Sequence, residues 1–246
     1  MKEKNSFIKD SIDFNSPNKN IVPLTTIINK GQLSIGGCSI EELIHKYGSP
    51  LYILDELTLR KSCKAYKKAL EKYYPGKSLP IYASKANSSL FMSNLISSEG
   101  FGLDAVSEGE LITALKGGVS NEKIVFHGNN KSDRELEFAV KNEIKVVVDN
   151  HYDLERMIGF SESLKRKLDI MIRFTPGIEC HTHEYIRTGS FDSKFGFGLE
   201  NLNTIFKEIK NVKNLDLYGL HAHIGSQIFE LEPHSDLGEI LVNMAI

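Results

Sequence analysis

Short apolar runs alternate with longer amphipathic stretches along most of this chain. Each run is four to six residues long, as expected of buried strands. The runs fall at residues 51–54, 80–83, 102–106, 123–126, 145–148, 169–174 and 215–220. Stretches of about 10–17 residues with helical spacing separate most of them. The pattern therefore predicts repeated βα units.

Two further signals define the expected fold class. Residues 146–148 and 170–172 are apolar at consecutive positions, which is typical of parallel strands covered on both faces. Ser107-x-x-Glu110 and Ser132-x-x-Glu135 have the spacing of capping boxes, so helices should begin there. An α/β fold with a parallel sheet follows. Periodicity alone does not choose between a doubly wound sheet and a barrel.

The first fifty residues have a different pattern. Residues 1–20 are polar and rich in Asn, Ser and Lys, and we expect them to form a mobile tail. Shorter elements are predicted behind them: β patterns at 21–28 and 33–35, a turn at Lys30-Gly31, and a helix at 40–47.

Composition and charge exclude several classes of protein. The 246 residues carry a net charge of −2 with scattered basic residues, which favours neither nucleic acid nor an anionic membrane as a partner. No apolar run approaches the ~20 residues that span a bilayer, and no secretory signal follows the early positive charges. Three widely spaced cysteines, Cys38, Cys63 and Cys180, argue against a disulfide framework and for a cytoplasmic location.

Lys85 stands just after the apolar run 80–83, in the segment YASKAN. At the carboxyl edge of a barrel strand, its amine would point into the mouth where such folds carry their chemistry. A partly desolvated lysine there is a suitable Schiff-base nucleophile for an aldehyde cofactor. The helix start expected at 87–89 offers free N–H groups to an anion such as phosphate. A solvated surface lysine is the alternative.

Three charged residues could reach the same edge. Asp104 lies in the run 102–106, and Glu110 follows it, although a capping box with Ser107 would account for Glu110 structurally. Arg173 lies in another run and could bind an anion or pair with a carboxylate such as Asp104. An ordinary structural ion pair is equally compatible with that position.

Two histidine-containing segments have some features of metal sites. His221 and His223 alternate in GLHAHIGSQ and would share one face of a strand, but no third ligand has an obvious spacing. Residues 180–184, CHTHE, are adjacent and lack the ligand spacing of structural zinc sites. They belong to the stretch 175–200, a loop of a length typical of functional segments. We predict no metal site, with a set of His183, His221 and His223 as the alternative.

Five segments, in their order and spacing, resemble the diaminopimelate decarboxylase family of pyridoxal-phosphate enzymes. They are YASKAN, GLDAVSEGEL, IRFTPG, HTHEYIRTGSFDSKFGFG and GLHAHIGSQ, and the resemblance covers residues 30–246. It implies an alanine racemase-like (β/α)8 TIM-type barrel with a β domain, pyridoxal 5'-phosphate as cofactor, and a small amino-acid substrate. The implied reaction is decarboxylation of meso-2,6-diaminopimelate to L-lysine, the last step of lysine biosynthesis. A decarboxylase of arginine, ornithine or carboxynorspermidine and a non-catalytic pyridoxal-phosphate-binding remnant are the alternatives.

The resemblance also assigns roles to individual residues. Lys85 matches the lysine that forms a Schiff base with pyridoxal phosphate. His223 matches a histidine that stacks on the pyridine ring, and Ser226 matches a serine that contacts the phosphate. The remaining cofactor-binding residues that it implies are polar: Asp104, Glu110 and Arg173.

A homodimer and eight barrel strands are further implications of the resemblance. Counted from the lysine strand, this sequence has six predicted strands, so we expect residues 50–246 to form a barrel short of its last two βα units. Residues 1–49 would be the tail and the N-terminal piece of the β domain. We expect such a truncated chain to be poorly stable and inactive alone, because it would expose two sheet edges and apolar surface.

Overall fold

The computed structural model describes residues 22–178, 195–226 and 228–245. Contacts divide the chain at Pro80 into two compact units. The domain boundary expected between residues 49 and 50 stays a prediction. The polar tail 1–20 and the cluster 180–184 lie outside the described residues.

The N-terminal unit contains a small antiparallel sheet. Its strands pair in chain order and are β1 (Ile27–Asn29), β2 (Gln32–Ile35) and β3 (Cys38–Ser39). Two-residue loops, Lys30-Gly31 and Gly36-Gly37, join them. All four loop residues have positive φ, as a type I′ hairpin turn requires. The turn predicted at Lys30-Gly31 is therefore confirmed.

Two helices complete this unit, α1 (Ile40–Tyr47) and α2 (Glu56–Tyr73). Each begins at a side chain that accepts a main-chain N–H, Ser39 for α1 and Asp55 for α2. The run 51–54 forms no strand, contrary to the prediction. An apolar run becomes a strand only where another strand pairs with it, and none among the described residues pairs with 51–54.

The C-terminal unit alternates strands with helices. Its strands are β4 (Ile81–Ala83), β5 (Gly102–Ala105), β6 (Ile124–Phe126), β7 (Lys145–Val148), β8 (Leu168–Thr175), β9 (Phe197–Gly198) and β10 (Leu215–His221). Its α-helices are α3 (Leu90–Ser98), α4 (Glu108–Lys116), α5 (Asp133–Lys141), α6 (His151–Leu164), α7 (Leu202–Lys210) and α8 (Glu232–Ala245). Short 3₁₀ turns lie at Ser84–Ala86, Asn121–Lys123 and Leu199–Asn201.

The strands form one parallel sheet in the order β10-β8-β7-β6-β5-β4, with the short β9 paired to β8. Six of them match predicted runs with bounds that differ by at most one residue. Of the consecutive apolar residues of β7 and β8, Val146, Val147, Val148, Ile170 and Ile172 are buried and Met171 is half-buried, as expected of parallel strands covered on both faces. The α/β class with six barrel strands is therefore confirmed.

A bulge in β10 sets the register at the site. Leu217 pairs with Ile170, but Gly219 pairs with Met171, so Tyr218 is the extra residue. Beyond it His221 lies opposite Arg173. Without the bulge, Leu220 would take that position, because each residue of one strand then faces one residue of the other.

Side-chain and main-chain hydrogen bonds stabilise α5 and α6. The capping box of Ser132 and Glu135 is present at α5, as predicted. In α6, the main-chain N–H of the buried Asp153 donates to Oδ1 of Asn150, and the hydroxyl of the buried Ser161 donates to the carbonyl of Ile158. Among the described helices, none has the length and apolar character needed to cross a bilayer.

Candidate active site

Polar side chains gather where the parallel strands end. Because the carboxyl ends of these strands lie at one edge of the sheet, residues far apart in sequence meet there. The edge carries Lys85 after β4, Asp104 in β5, His127 after β6, Asp149 after β7, Arg173 in β8 and His221 in β10.

Lys85 lies in the 3₁₀ turn Ser84–Ala86, directly after β4. The residue is exposed, so its amine is accessible. Asn87 then accepts a 3.0 Å hydrogen bond from the main-chain N–H of Ser89, and Ser89 caps α3. The lysine therefore lies between a strand end and a helix N-terminus, as the sequence predicted.

Glu110 does not form the predicted capping box. Ser107 does accept from the main-chain N–H of Glu110, but the carboxylate turns away from Ser107. Its Oε2 accepts 2.7 Å from the N–H of Val106 and 2.6 Å from the hydroxyl of Ser84. A structural explanation by Ser107 alone is wrong, because Glu110 also holds the residue that precedes Lys85.

Asp104 lies within the electrostatic influence of Lys85. It lies in β5 beside Ala83 of β4. Burial raises the pKa of Asp104 to about 7, the positive charges of Lys85 and Arg173 oppose this rise, and the negative charge of Glu110 adds to it. Asp104 can therefore gain or lose a proton near neutral pH.

Arg173 is buried and pairs with Asp149. Its Nη1 donates to Oδ1 of Asp149 at 2.8 Å, and the two side chains are 5% and 1% exposed. The main-chain N–H of Gly196 donates to the second Asp149 oxygen at 3.4 Å. Asp104, which the sequence suggested as the partner, instead interacts with Arg173 through charge alone. The correction follows from the sheet order, because β7, which precedes Asp149, is the direct neighbour of β8.

Two histidine rings pack together beside this ion pair. The centroids of His127 and His221 are 4.8 Å apart, and the rings are tilted by 32°. Burial, together with the nearby positive charge of Arg173, lowers the pKa of His127 to about 3 and that of His221 to about 4. Both imidazoles are therefore neutral at physiological pH.

His223 and Ser226 follow the end of β10. The strand ends at His221, so the prediction that both histidines lie on one strand face is wrong for His223. Burial lowers the pKa of His223, and the positive charges of Arg173 and Lys85 lower it further. His223 therefore lies close enough to both residues to interact with their charges. Ser226 is half-buried. The ring-stacking and phosphate-binding roles of these two residues stay predictions.

An ion cluster of Lys131, Asp153 and Arg156 contacts the main chain at Asp149. Lys131 donates to Asp153 at 2.5 Å, and both side chains are 1% exposed. Asp153 also accepts from Arg156 at 2.7 Å and from the main-chain N–H of Asp149 at 3.1 Å. The cluster thus fixes the backbone that carries the partner of Arg173.

Three or more possible metal-binding side chains do not come together anywhere in the described part of the chain, and His183 lies outside it.

Sequence reasoning missed Ser84, His127 and Asp149. Each is the first residue after a predicted apolar run, one position earlier than Lys85 stands after its own run. Applying that positional rule to every run would have found them. The hydrogen bond of Ser84 to Glu110 could not be found in this way, because it depends on where the Glu110 carboxylate turns.

This arrangement defines a class of protein. A parallel βα sheet presents an accessible lysine beside an acid that titrates near neutrality and beside neutral imidazoles, which suits covalent binding of a carbonyl cofactor. The comparison with known families names that class. The chain belongs to the pyridoxal-dependent decarboxylases, whose pyridoxal binding domain matches residues 57–242.

Individual relatives give a finer comparison. The chain is 50% identical over 236 residues to a diaminopimelate decarboxylase of Synechocystis, covering 92% of this chain and 50% of the relative. It is 44% identical over 204 residues to that of Bacillus subtilis, covering 81% and 46%. The chain spans about half the length of the curated relatives it matches.

Solved structures agree with the fold. A diaminopimelate decarboxylase from M. jannaschii, in complex with L-lysine, superposes with a TM-score of 0.80 at 30% identity, covering 89% of this chain and 52% of that one. The enzyme from Helicobacter pylori complexed with L-lysine gives a TM-score of 0.73 at 33% identity, covering 83% and 52%.

The described residues fit pyridoxal phosphate. Lys85 offers an exposed primary amine for the aldehyde. Nδ1 of His221 is buried and has no hydrogen-bond partner among the described residues, which is typical of a site that a ligand completes. Arg173, which Asp149 holds at the same edge of the sheet, would supply positive charge to a site for an anionic cofactor.

Proposed function

We propose that the protein containing this chain decarboxylates meso-2,6-diaminopimelate to L-lysine, using pyridoxal phosphate bound to Lys85. The observation that carries the proposal is the accessible Lys85 beside Asp104, an acid with a pKa of about 7. The choice of substrate is supported by the 50% identity to a diaminopimelate decarboxylase.

Lys85 must be unprotonated to attack an aldehyde, and Asp104 can accept its proton near neutral pH. When bound, pyridoxal phosphate supplies an electron sink for the electron pair that remains when carbon dioxide departs. Asp149 holds Arg173 in place. Burial and the charge of Arg173 together keep His127 and His221 neutral, so these rings can pack against a ligand without adding charge.

The remaining roles belong to the same proposal. His223 covers one face of the pyridine ring, and Ser226 contacts the phosphate. Glu110 acts on the cofactor pocket through Ser84, because its carboxylate holds the turn that carries Lys85. The protein is cytoplasmic and works as a homodimer, and its β domain includes residues 1–49.

Covalent trapping tests the cofactor site. The chain is incubated with pyridoxal phosphate, reduced with borohydride and digested, and the modified peptide is identified by mass. Pyridoxyl modification is expected at Lys85 and should disappear in Lys85→Ala and Lys85→Arg, whereas Lys116→Ala, a change at the far end of α4, keeps it. Equal modification of many lysines, with no preference for Lys85, would overturn the proposal.

A substrate panel tests the reaction. Carbon dioxide release is measured for the full-length protein with meso-diaminopimelate, arginine and ornithine. Release from meso-diaminopimelate alone, abolished in Lys85→Ala, is expected. Preference for arginine or ornithine would assign a different substrate. Trapping at Lys85 with no release from any of the three would indicate a binding protein without catalysis.

A further inference from the structure

His127 occupies a position that fixes where its ring proton lies. Nη1 of Arg173 is 3.2 Å from Nε2 of His127 and 2.8 Å from Oδ1 of Asp149. A guanidinium nitrogen only donates, and Nη1 carries two hydrogens. One hydrogen goes to Asp149, and the other goes to His127, so Nε2 of His127 must accept. The proton of the neutral ring therefore lies on Nδ1.

The other nitrogen of the same ring faces Asp104. Nδ1 of His127 is 3.9 Å from Oδ2 of Asp104, about 1 Å longer than a hydrogen bond. The two side chains are 19% and 28% exposed, so water screens their interaction only in part. The packed ring of His221 limits how far the His127 ring can rotate.

Burial is the main reason that this ring stays neutral. The positive charges of Arg173 on β8 and Lys131 before α5 also disfavour the imidazolium, and the titratable rings of His221 and His223 face His127 as well. Asp104 is the carboxylate closest to Nδ1, and it is itself under the influence of Lys85, Glu110 and Arg173. The ring therefore acts as a fixed dipole whose positive end points at Asp104.

We propose that His127 is a positioning residue that Arg173 holds as the Nδ1–H tautomer, and that its N–H stabilises the ionised form of Asp104 beside Lys85. One ordered series of contacts then runs along the sheet edge. It begins at Asp149 after β7, passes through Arg173 on β8 and His127 after β6, and ends at Asp104 on β5. The significance of the series for the reaction rests on the proposed function, since it sets how readily Asp104 accepts the Lys85 proton. The tautomer itself is independent of any cofactor.

The tautomer is measured by nitrogen NMR on histidine-labelled protein without pyridoxal phosphate, with His127→Asn used to assign the His127 signals. We expect a protonated Nδ1 and an unprotonated Nε2 at pH 7. A proton on Nε2, or on both nitrogens, would overturn the proposal.

Two substitutions distinguish the effect of the His127 N–H from the effect of the space that the ring fills. His127→Phe keeps a packed ring without the N–H, while His127→Asn places an amide N–H near the position of Nδ1. The carboxyl titration of Asp104, followed by carbon NMR, should move upward by about one pH unit in His127→Phe and by less than half of that in His127→Asn. Trapping of pyridoxal phosphate at Lys85, measured against pH, should shift in the same order.

An equal titration shift in both variants would mean that His127 acts only by filling space and would refute the positioning role. If either variant does not fold, the tautomer of the unsubstituted protein still decides the question. Loss of trapping with the tautomer as expected would count against the proposed function but not against this inference.

Discussion

The hydroxyl of Ser84 donates a 2.6 Å hydrogen bond to the Glu110 carboxylate, and the same oxygen accepts from the main-chain N–H of Val106 at 2.7 Å. One oxygen atom thus joins the turn that carries Lys85 to the end of β5. Ser84 is 1% exposed, so its hydroxyl has little access to water as a substitute partner. The position of the lysine turn therefore depends on a residue 26 positions after Ser84 in the sequence.

Replacing Glu110 by alanine should destabilise the protein by about 1–3 kcal/mol, because a buried hydroxyl and a main-chain N–H lose their partner. Glu108→Ala in the same helical turn is the matched control, since Glu108 pairs with Arg134, which is 81% exposed. The control should cost less than about 1 kcal/mol. Urea unfolding measures both. Equal costs would contradict the structural role given to Glu110.

The buried pair of Arg173 and Asp149 should show strong coupling. Arg173→Met and Asp149→Leu should each cost roughly 3–5 kcal/mol, because each leaves a buried charge unpaired. The double variant should cost clearly less than the sum, since it leaves neither charge behind. A denaturant-unfolding cycle measures the coupling. The pair of the exposed Arg134 and the half-buried Glu108 should give no more than about 1 kcal/mol. Additive costs for the buried pair would show that the two residues do not act together.

Asp104 should make stability depend on pH in a defined direction. Its pKa is raised from 3.8 to about 7, so the folded protein binds a proton that the unfolded chain has already lost. The stability contributed by the neutral carboxyl is present at low pH and is lost as pH rises toward 7. Without cofactor, the unsubstituted protein should lose roughly 2–3 kcal/mol of unfolding free energy through Asp104 between pH 5 and pH 8. The unfolding free energy of Asp104→Asn should rise by that amount relative to the unsubstituted protein over the same range.

Unfolding free energies at the two pH values test this expectation. Asp169→Asn is the control, because Asp169 lies on β8 and is exposed. It should show almost no relative change. A difference for Asp104→Asn that is constant with pH, or that has the opposite sign, would show that Asp104 is not held in its neutral form.

Gly117 lies where α4 approaches α3. A Cβ at this position would be 2.3 Å from Cβ of Ser93, so Gly117→Ala should destabilise the protein by about 1–3 kcal/mol. Adding Ser93→Gly removes the clashing atom and should recover part of that loss. Gly159→Ala, on an open face of α6, should instead stabilise the helix by roughly 0.5–1 kcal/mol. Thermal unfolding distinguishes these outcomes, and a neutral Gly117→Ala would show that the helices separate easily.

Much of the fold could be predicted from the sequence. The barrel strands follow from apolar runs, because a strand covered on both faces needs consecutive apolar residues. The run 51–54 shows the limit of that reasoning, since it has the same composition but no strand partner among the described residues. The site was predicted in part: Lys85, Asp104 and Arg173 lie at one edge, as expected for residues at the ends of parallel strands.

By itself, the sequence determined the βα repeat, the caps of several helices and the location of Lys85, because these depend on residues close together along the chain. The tertiary structure decided which side chains face each other. Arg173 pairs with Asp149 because their strands are neighbours, and His221 lies opposite Arg173 because Tyr218 is bulged. The Glu110 carboxylate accepts from Ser84 and not from Ser107, because β4 packs beside β5. Strand order, register and side-chain direction are fixed only when distant segments pack together, so no local pattern could have revealed them.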